Sequence, residues 1–151
     1  MYIYVDSAAS SDLFPDNDCK NFIVELSQTL DTRNCFLGLV ELMIDLPDSF
    51  KFGAASAGES TLYVLVSECA DSLVGGHSHP VLRMISVRGI DIRRKAIVRF
   101  PDVLYVPVKE HLISRLTVRL VGIDTCCSDS TANVLPLIGV TRCTFHLKKG
   151  Y

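Results

Sequence analysis

Apolar residues recur at every second position along much of this chain, and this alternation constrains the fold more than any other feature. In residues 114–124, Leu116, Val118 and Leu120 alternate with Arg115, Thr117 and Arg119. Successive side chains of a β-strand point to opposite faces of the sheet, so a period of two indicates a half-buried strand. No window of eleven or more residues carries the apolar period of an amphipathic helix. The pattern therefore predicts an all-β chain.

Nine segments have strand character, and turn-rich stretches separate them. They are residues 2–6, 21–30, 36–46, 61–69, 80–87, 95–100, 104–108, 114–124 and 139–149. Segment 36–46 is almost continuously apolar, so we expect a central strand buried on both faces. Eight or nine strands without intervening helices favour an antiparallel sandwich or barrel, in one domain spanning residues 1–151. The alternation does not specify the order of the strands.

The chain is apolar for one without a membrane segment, since hydrophobic residues make up 48% of it. A well-packed β domain explains this fraction, and so does surface buried against other subunits. The longest apolar run, residues 36–46, contains Glu41 and Asp45 and is too short to cross a bilayer. The first residues, MYIYVDS, lack the basic segment and cleavage site of a signal peptide. We therefore expect no membrane insertion and no secretory signal.

Charge is divided unevenly along the sequence. Residues 1–50 carry nine acids and two bases, whereas residues 51–151 carry eight acids and thirteen bases. The net charge of −2 argues against general binding to nucleic acid or to anionic membranes. If the two halves of the sequence also form opposite poles in space, they favour head-to-tail association of copies.

An acidic corner within LFPDNDCKNFIVEL (residues 13–26) is the best candidate for an ion site. Its oxygen-bearing side chains are Asp12, Asp16, Asn17 and Asp18. A calcium loop of the EF-hand type requires glycine at its sixth position and glutamate at its twelfth. Counted from Asp12, those positions hold Asn17 and Ile23, so the template fails. An irregular ion site stays open, but we favour a turn made by Asp and Asn beside proline, anchored by apolar contacts of Leu13 and Phe14.

Two histidines form a second candidate metal site. His77 and His79 lie two residues apart in GGHSHP, where an extended backbone would let them share a metal ion. A third ligand is needed, and Glu68, Cys69 and Asp71 reach it only if a hairpin folds them back. The alternative is a glycine-rich loop that leads into the strand after Pro80.

A basic cluster lies in VRGIDIRRKAIVRF. Its members are Arg88, Arg93, Arg94, Lys95 and Arg99. No aromatic residues interleave with them as in proteins that stack single-stranded bases. A solvated hairpin tip is the favoured interpretation, and weak contact with packaged nucleic acid is the alternative.

The chain contains no established catalytic motif. The nucleophile elbow, the zinc-protease helix, the phosphate-binding loop and the dinucleotide fingerprint are all absent from the sequence. Its six cysteines have no C-x-x-C pair, so we expect reduced thiols that act as small core residues. The vicinal pair Cys126 and Cys127 lies in a polar loop, where we favour a structural role over a redox role. We therefore predict a non-enzymatic protein without catalytic residues, cofactor or metal, while a Cys–His hydrolase stays as a rival.

Four segments together resemble the penton-type minor capsid protein of Polinton/Maverick elements and adintovirus-like DNA viruses. They are YIYVDSAASSDLFPDNDCKNFIVELSQTLD with FLGLVELMIDLP, LYVLVSECADSLVGGHSHPVLRMISV, FPDVLYVPVKEHLISRLTVRLVGID, and GVTRCTFHLKK. They cover most of the chain in the family's order. Two departures stand out: Cys35-Phe36 replaces the family's usual tryptophan, and the region between Phe50 and Leu62 is short.

The resemblance implies a single jelly-roll β-sandwich of about eight antiparallel strands. It further implies a structural protein of the virion that forms homopentamers at icosahedral vertices, beside a major capsid protein of double jelly-roll type. The rivals are another capsid component, such as a cement or spike-base protein, a carbohydrate- or receptor-binding β-sandwich, and a small metal-dependent enzyme using His77 and His79. Trp is absent and four of the five tyrosines lie in predicted strands, which we take as disfavouring a carbohydrate-binding platform.

Overall fold

The computed structural model describes residues 1–45, 60–74, 76–86, 95–124 and 137–150. The prediction of an all-β, antiparallel protein is confirmed in these residues. Their eleven strands are β1 (Tyr2–Asp6), β2 (Asn21–Asp31), β3 (Cys35–Asp45), β4 (Ser60–Val66), β5 (Ser72–Val74), β6 (His77–His79), β7 (Val81–Ser86), β8 (Lys95–Arg99), β9 (Tyr105–Pro107), β10 (Leu112–Asp124) and β11 (Ile138–Lys149).

Two large sheets and one small hairpin contain all of these strands. The five-stranded sheet has the order β1-β11-β3-β8, and β9 pairs with the other end of β3. The four-stranded sheet has the order β2-β10-β4-β7. The separate hairpin joins β5 to β6. Each pairing among the described strands is antiparallel.

The strands pair in the order expected of one long hairpin of the whole chain that is wrapped into two sheets. Setting aside β5, β6 and β9, the first strand pairs with the last, β1 with β11, and the second with the last but one, β2 with β10. The next two pairs are β3 with β8 and β4 with β7. Wrapping then brings β11 against β3 and β10 against β4. Successive strands therefore alternate between the two sheets along most of the chain.

Alternation places one apolar face of each sheet in a shared core, as in a β-sandwich. Leu116 and Val118 of the four-stranded sheet and Leu39 and Phe145 of the five-stranded sheet are fully buried in one hydrophobic cluster. Burying a side chain of this size contributes roughly 1.5–3 kcal/mol, so the core is the main source of stability. The outward faces of both sheets and the connections between strands remain available for interactions.

Side-chain contacts at two places, which we call the seams, hold the two sheets together. On one side, residues 7–20 pass from β1 to β2, and Ser7 Oγ accepts from Thr141 N while Thr141 Oγ1 donates to Cys19 O. On the other side, the Arg83 guanidinium of β7 lies 4.4 Å from the centre of the Phe100 ring, just after β8. Arg83 also donates to Asp102 O at 3.0 Å. Both seams are thus held by side chains that reach from one sheet to the other.

Three expectations about the strands need correction. Segment 61–69 leaves the sheet after Val66, because Ser67 and Glu68 turn the chain away. Strand β3 is central, but its outward residues Phe36 and Met43 are only half-buried, since no second layer covers that face among the described residues. The hairpin β5–β6 was expected as a loop, because three-residue strands are too short for a period to show.

Candidate interaction surfaces

The acidic corner seals the free edge of β2. The Asn17 side chain pairs with both backbone groups of Ile23: Nδ2 donates to Ile23 O and Oδ1 accepts from Ile23 N, each at 2.8 Å. Further along the same edge, Ser10 Oγ accepts from Glu25 N at 3.0 Å. An unpaired strand edge invites pairing with another chain, so these contacts protect β2.

Asp18 forms the turn into β2. Its Oδ1 accepts from Lys20 N and from Asn21 N, each at 2.7 Å. This is the side-chain-to-backbone bonding that the turn interpretation requires. Asp12 and Asp16 are exposed.

Leu13 does not anchor the corner, contrary to our expectation. Its side chain is 64% exposed, whereas Phe14 is half-buried. Leu13, Phe14, Ile23 and Thr117 line an open groove of about 460 Å³ beside the start of β2. We call the exposed group Asp12, Leu13 and Asp16 the Leu13 ridge.

The histidines lie on the β5–β6 hairpin, which is tethered by Asp71. The Asp71 carboxylate accepts from Ser78 Oγ at 3.2 Å and from Lys109 Nζ at 3.1 Å. The Lys109 ammonium lowers the pKa of Asp71. The rings of His77 and His79 are 6.3 Å apart and exposed. A hairpin does bring Asp71 back toward the histidines, since Asp71 contacts Ser78 between them, but Glu68 and Cys69 are buried.

A cleft lies between this hairpin and the outward face of the four-stranded sheet. We call this cavity of about 160 Å³ the His79 cleft. Its apolar lining comes from Leu65, Val74, Val81 and Val121, and its polar groups are those of Tyr63, His79 and Arg119. The cleft therefore combines a small apolar space with the positive charge of Arg119.

An aromatic patch covers one end of the five-stranded sheet. The register places Tyr2, His146, Gly38 and Tyr105 in one row across β1, β11, β3 and β9. The Tyr105 hydroxyl and His146 Nδ1 are 2.7 Å apart and hydrogen-bonded, and the Tyr2 and His146 rings are 4.8 Å apart. Tyr2, Tyr4, Tyr105 and His146 form the patch, and Tyr4 is 75% exposed.

Gly38 makes this row possible. It lies between His146 and Tyr105, and a Cβ at this position would come within 2.4 Å of Val103 Cγ1 and 3.1 Å of Tyr105 Cδ1. Without a side chain at 38, the Tyr105 ring leans across β3 to reach His146. The expectation that tyrosines in strands disfavour a binding platform was therefore wrong in its premise, because these tyrosines face outward.

Glu68 is a buried carboxylate at the point where β4 leaves its sheet. It is 5% exposed, and its two oxygens accept from Thr117 N at 3.2 and 3.0 Å. Burial raises the pKa of Glu68, and the Thr117 hydrogen bond opposes that rise. The Glu68 carboxylate thus takes the place of a backbone carbonyl as the acceptor for Thr117 N, at the end of the β4–β10 ladder.

The described cysteines lie in or beside the core. Cys35, Cys69 and Cys143 are buried free thiols, and burial raises the pKa of Cys69 and of Cys143 to about 12. Such thiols carry little thiolate at neutral pH, so they are poor nucleophiles. Cys126 and Cys127 lie outside the described residues.

Only part of the basic cluster is described. Arg99 Nε donates to Glu41 Oε2 at 2.7 Å across the β3–β8 pair, and Lys95 is exposed. Arg88, Arg93 and Arg94 lie outside the described residues. Arg99 is therefore paired with an acid on its own sheet.

The described ranges contain no group of three or more His, Cys, Asp or Glu side chains placed to hold a metal ion. Nor do they contain a helix with the length and apolarity that crossing a membrane requires. No protein-family model, curated protein or solved structure matches the chain. The contacts described above are therefore the basis for any functional proposal.

Proposed function

We propose that this protein is a structural capsid protein, a single jelly-roll penton that assembles into homopentamers at the vertices of an icosahedral shell. The observation that carries the proposal is the pairing of the strands as one wrapped hairpin, with orders β1-β11-β3-β8 and β2-β10-β4-β7. Jelly rolls are eight-stranded double sheets of this kind, and they recur in viral capsid and lectin domains. In such a virion the neighbours are major capsid proteins of double jelly-roll type.

The outward faces support an assembly role. Large apolar side chains are exposed on both sheets, including Tyr4, Met84 and Ile97, which are 75%, 62% and 52% exposed. Burial of such groups against neighbours supplies affinity, and charge complementarity supplies register. A closed ring requires contact between two different patches of each copy.

Light scattering coupled to size-exclusion chromatography tests this proposal. The purified chain is run over a range of concentrations, and negative-stain images are taken of the main peak. A mass five times that of the chain, with ring-shaped particles, supports the penton. A protein that stays monomeric at the highest concentration, alone and when mixed with a double-jelly-roll capsid protein, contradicts it.

A carbohydrate-binding role is the second candidate, and the aromatic patch favours it. Exposed tyrosine rings stack on the apolar faces of sugars, while His146 and Lys148 offer polar contacts beside them. The Lys148 ammonium lies 5.5 Å from the centre of the Tyr105 ring. Glycan-array binding that is lost in Tyr4→Ala and Tyr105→Ala, but kept in Met84→Ala on the other sheet, would support this role. Absence of glycan binding by the wild-type chain would exclude it.

A further inference from the structure

The Leu13 ridge and the His79 cleft differ in charge. The ridge presents an exposed leucine with exposed aspartates one position before it and three positions after it, Asp12 and Asp16. The cleft presents an apolar space with Arg119 and His79 in its lining. Among the exposed large apolar side chains of the described residues, Leu13 is the one that has an acid as its chain neighbour.

The sizes also agree. An apolar cavity of about 150 Å³ accommodates a benzene-sized group. The His79 cleft, at about 160 Å³, thus has room for a single leucine side chain. A leucine that enters it brings its chain neighbour Asp12 toward Arg119, and guanidinium–carboxylate pairing is strong.

The two features lie at different places on one sheet. The ridge borders the groove at β2, the edge strand, and the cleft lies over β4, β7 and the far end of β10. Along β10, Thr117 lines the groove, whereas Arg119 and Val121 line the cleft. The ridge and the cleft are thus two different patches of one copy, so a ridge that meets the cleft of a second copy joins unlike patches.

We infer that the Leu13 ridge of one copy inserts into the His79 cleft of a second copy. Leu13 fills the apolar space beneath the β5–β6 hairpin, and Arg119 and His79 face the carboxylates of Asp12 and Asp16. The contact rests on the proposed function, because self-assembly is what brings a second copy to the cleft. It deepens that function by naming the surfaces that join neighbours.

Cross-linking from position 13 tests the contact directly. A photo-cross-linking amino acid replaces Leu13, and the chain is mixed with isotopically labelled wild-type chain before illumination. Mass spectrometry then identifies peptides joined between labelled and unlabelled copies. We expect cross-links to residues 60–66, 72–74, 76–86 or 119–121, which contain the residues that line the cleft. Intermolecular cross-links that fall only elsewhere overturn the inference.

Charge exchange gives an independent test. Leu13→Ser and Arg119→Asp should each weaken association. For Leu13→Ser, the loss of the buried leucine should weaken it roughly ten- to one-hundred-fold. Combining Arg119→Asp with Asp12→Arg or Asp16→Arg restores association. Arg115→Asp is the matched control, since Arg115 is an exposed arginine of the same strand outside the cleft. Circular dichroism and melting curves establish that each variant is folded.

The outcomes separate this contact from the pentamer. A five-membered ring that persists in Leu13→Ser and Arg119→Asp overturns the contact and leaves the pentamer standing. Cross-links to the cleft in a species of two copies support the contact and overturn the pentamer. A folded chain that stays monomeric and forms no intermolecular cross-links, both at high concentration and when mixed with a double-jelly-roll capsid protein, overturns both.

Discussion

Asn17→Ala should destabilise the protein by removing both hydrogen bonds that seal the edge of β2. The amide pairs with Ile23 N and Ile23 O, each at 2.8 Å. A neutral hydrogen bond contributes about 0.5–1.5 kcal/mol net, and water replaces part of each bond because Ile23 is only half-buried. We therefore expect a loss of about 1–2 kcal/mol in the free energy of unfolding. For a chain of this size that is a fall of about 2–8 °C in Tm.

Denaturant unfolding at one fixed chain concentration measures this loss, because association makes stability depend on concentration. Gln28→Ala is the matched control: Gln28 is an exposed amide on β2 outside the Leu13 ridge, and we expect a change within about 0.5 kcal/mol. Amide hydrogen exchange adds a local measure, since the Ile23 N–H should exchange faster in Asn17→Ala. An Asn17→Ala protein as stable as the wild type, or a Gln28→Ala protein equally destabilised, would refute the edge-sealing role.

Three further predictions concern other described residues. Glu68→Gln should stabilise the protein at neutral pH. Burial raises the pKa of Glu68, so the stability that its neutral form gives is present at low pH and is lost as the pH rises through the folded-state pKa. The gain that unfolding curves show for this substitution at pH 7 should therefore vanish at acid pH. Gly38→Ala should lower the free energy of unfolding by about 1–3 kcal/mol, because its Cβ would meet Val103 Cγ1 at 2.4 Å. An unchanged stability would show that the loop containing Val103 moves aside freely. Burial and the nearby positive charges lower the pKa of His146, so an NMR titration of its ring should have a midpoint below the ordinary histidine value. A midpoint above that value would contradict the packing described for the aromatic patch.

The strands were predictable from the sequence because alternation is a local signal. Segment 114–124 shows it most clearly, and β10 covers that segment with Leu116 and Val118 in the core. The order of the strands was not predictable in this way. It depends on pairings such as β1 with β11, which join residues at opposite ends of the chain.

The candidate surfaces depended even more on distant contacts. Tyr105 and His146 meet only because Gly38 lies between them, and the sequence gives no sign of that row. Asn17 was assigned to a turn, but its partner Ile23 lies beyond the turn, on a strand edge that only the sheet order identifies. The period-two pattern identified the faces of each strand and left open which exposed residues share a surface.

Cryo-electron microscopy of the purified chain at high concentration tests the central proposal, assembly of a capsid vertex, most directly. We predict rings with five-fold symmetry in which neighbouring sandwiches meet through unlike patches. Pairs related by a two-fold axis, or monomers that persist also in a mixture with a double-jelly-roll capsid protein, would contradict the proposal.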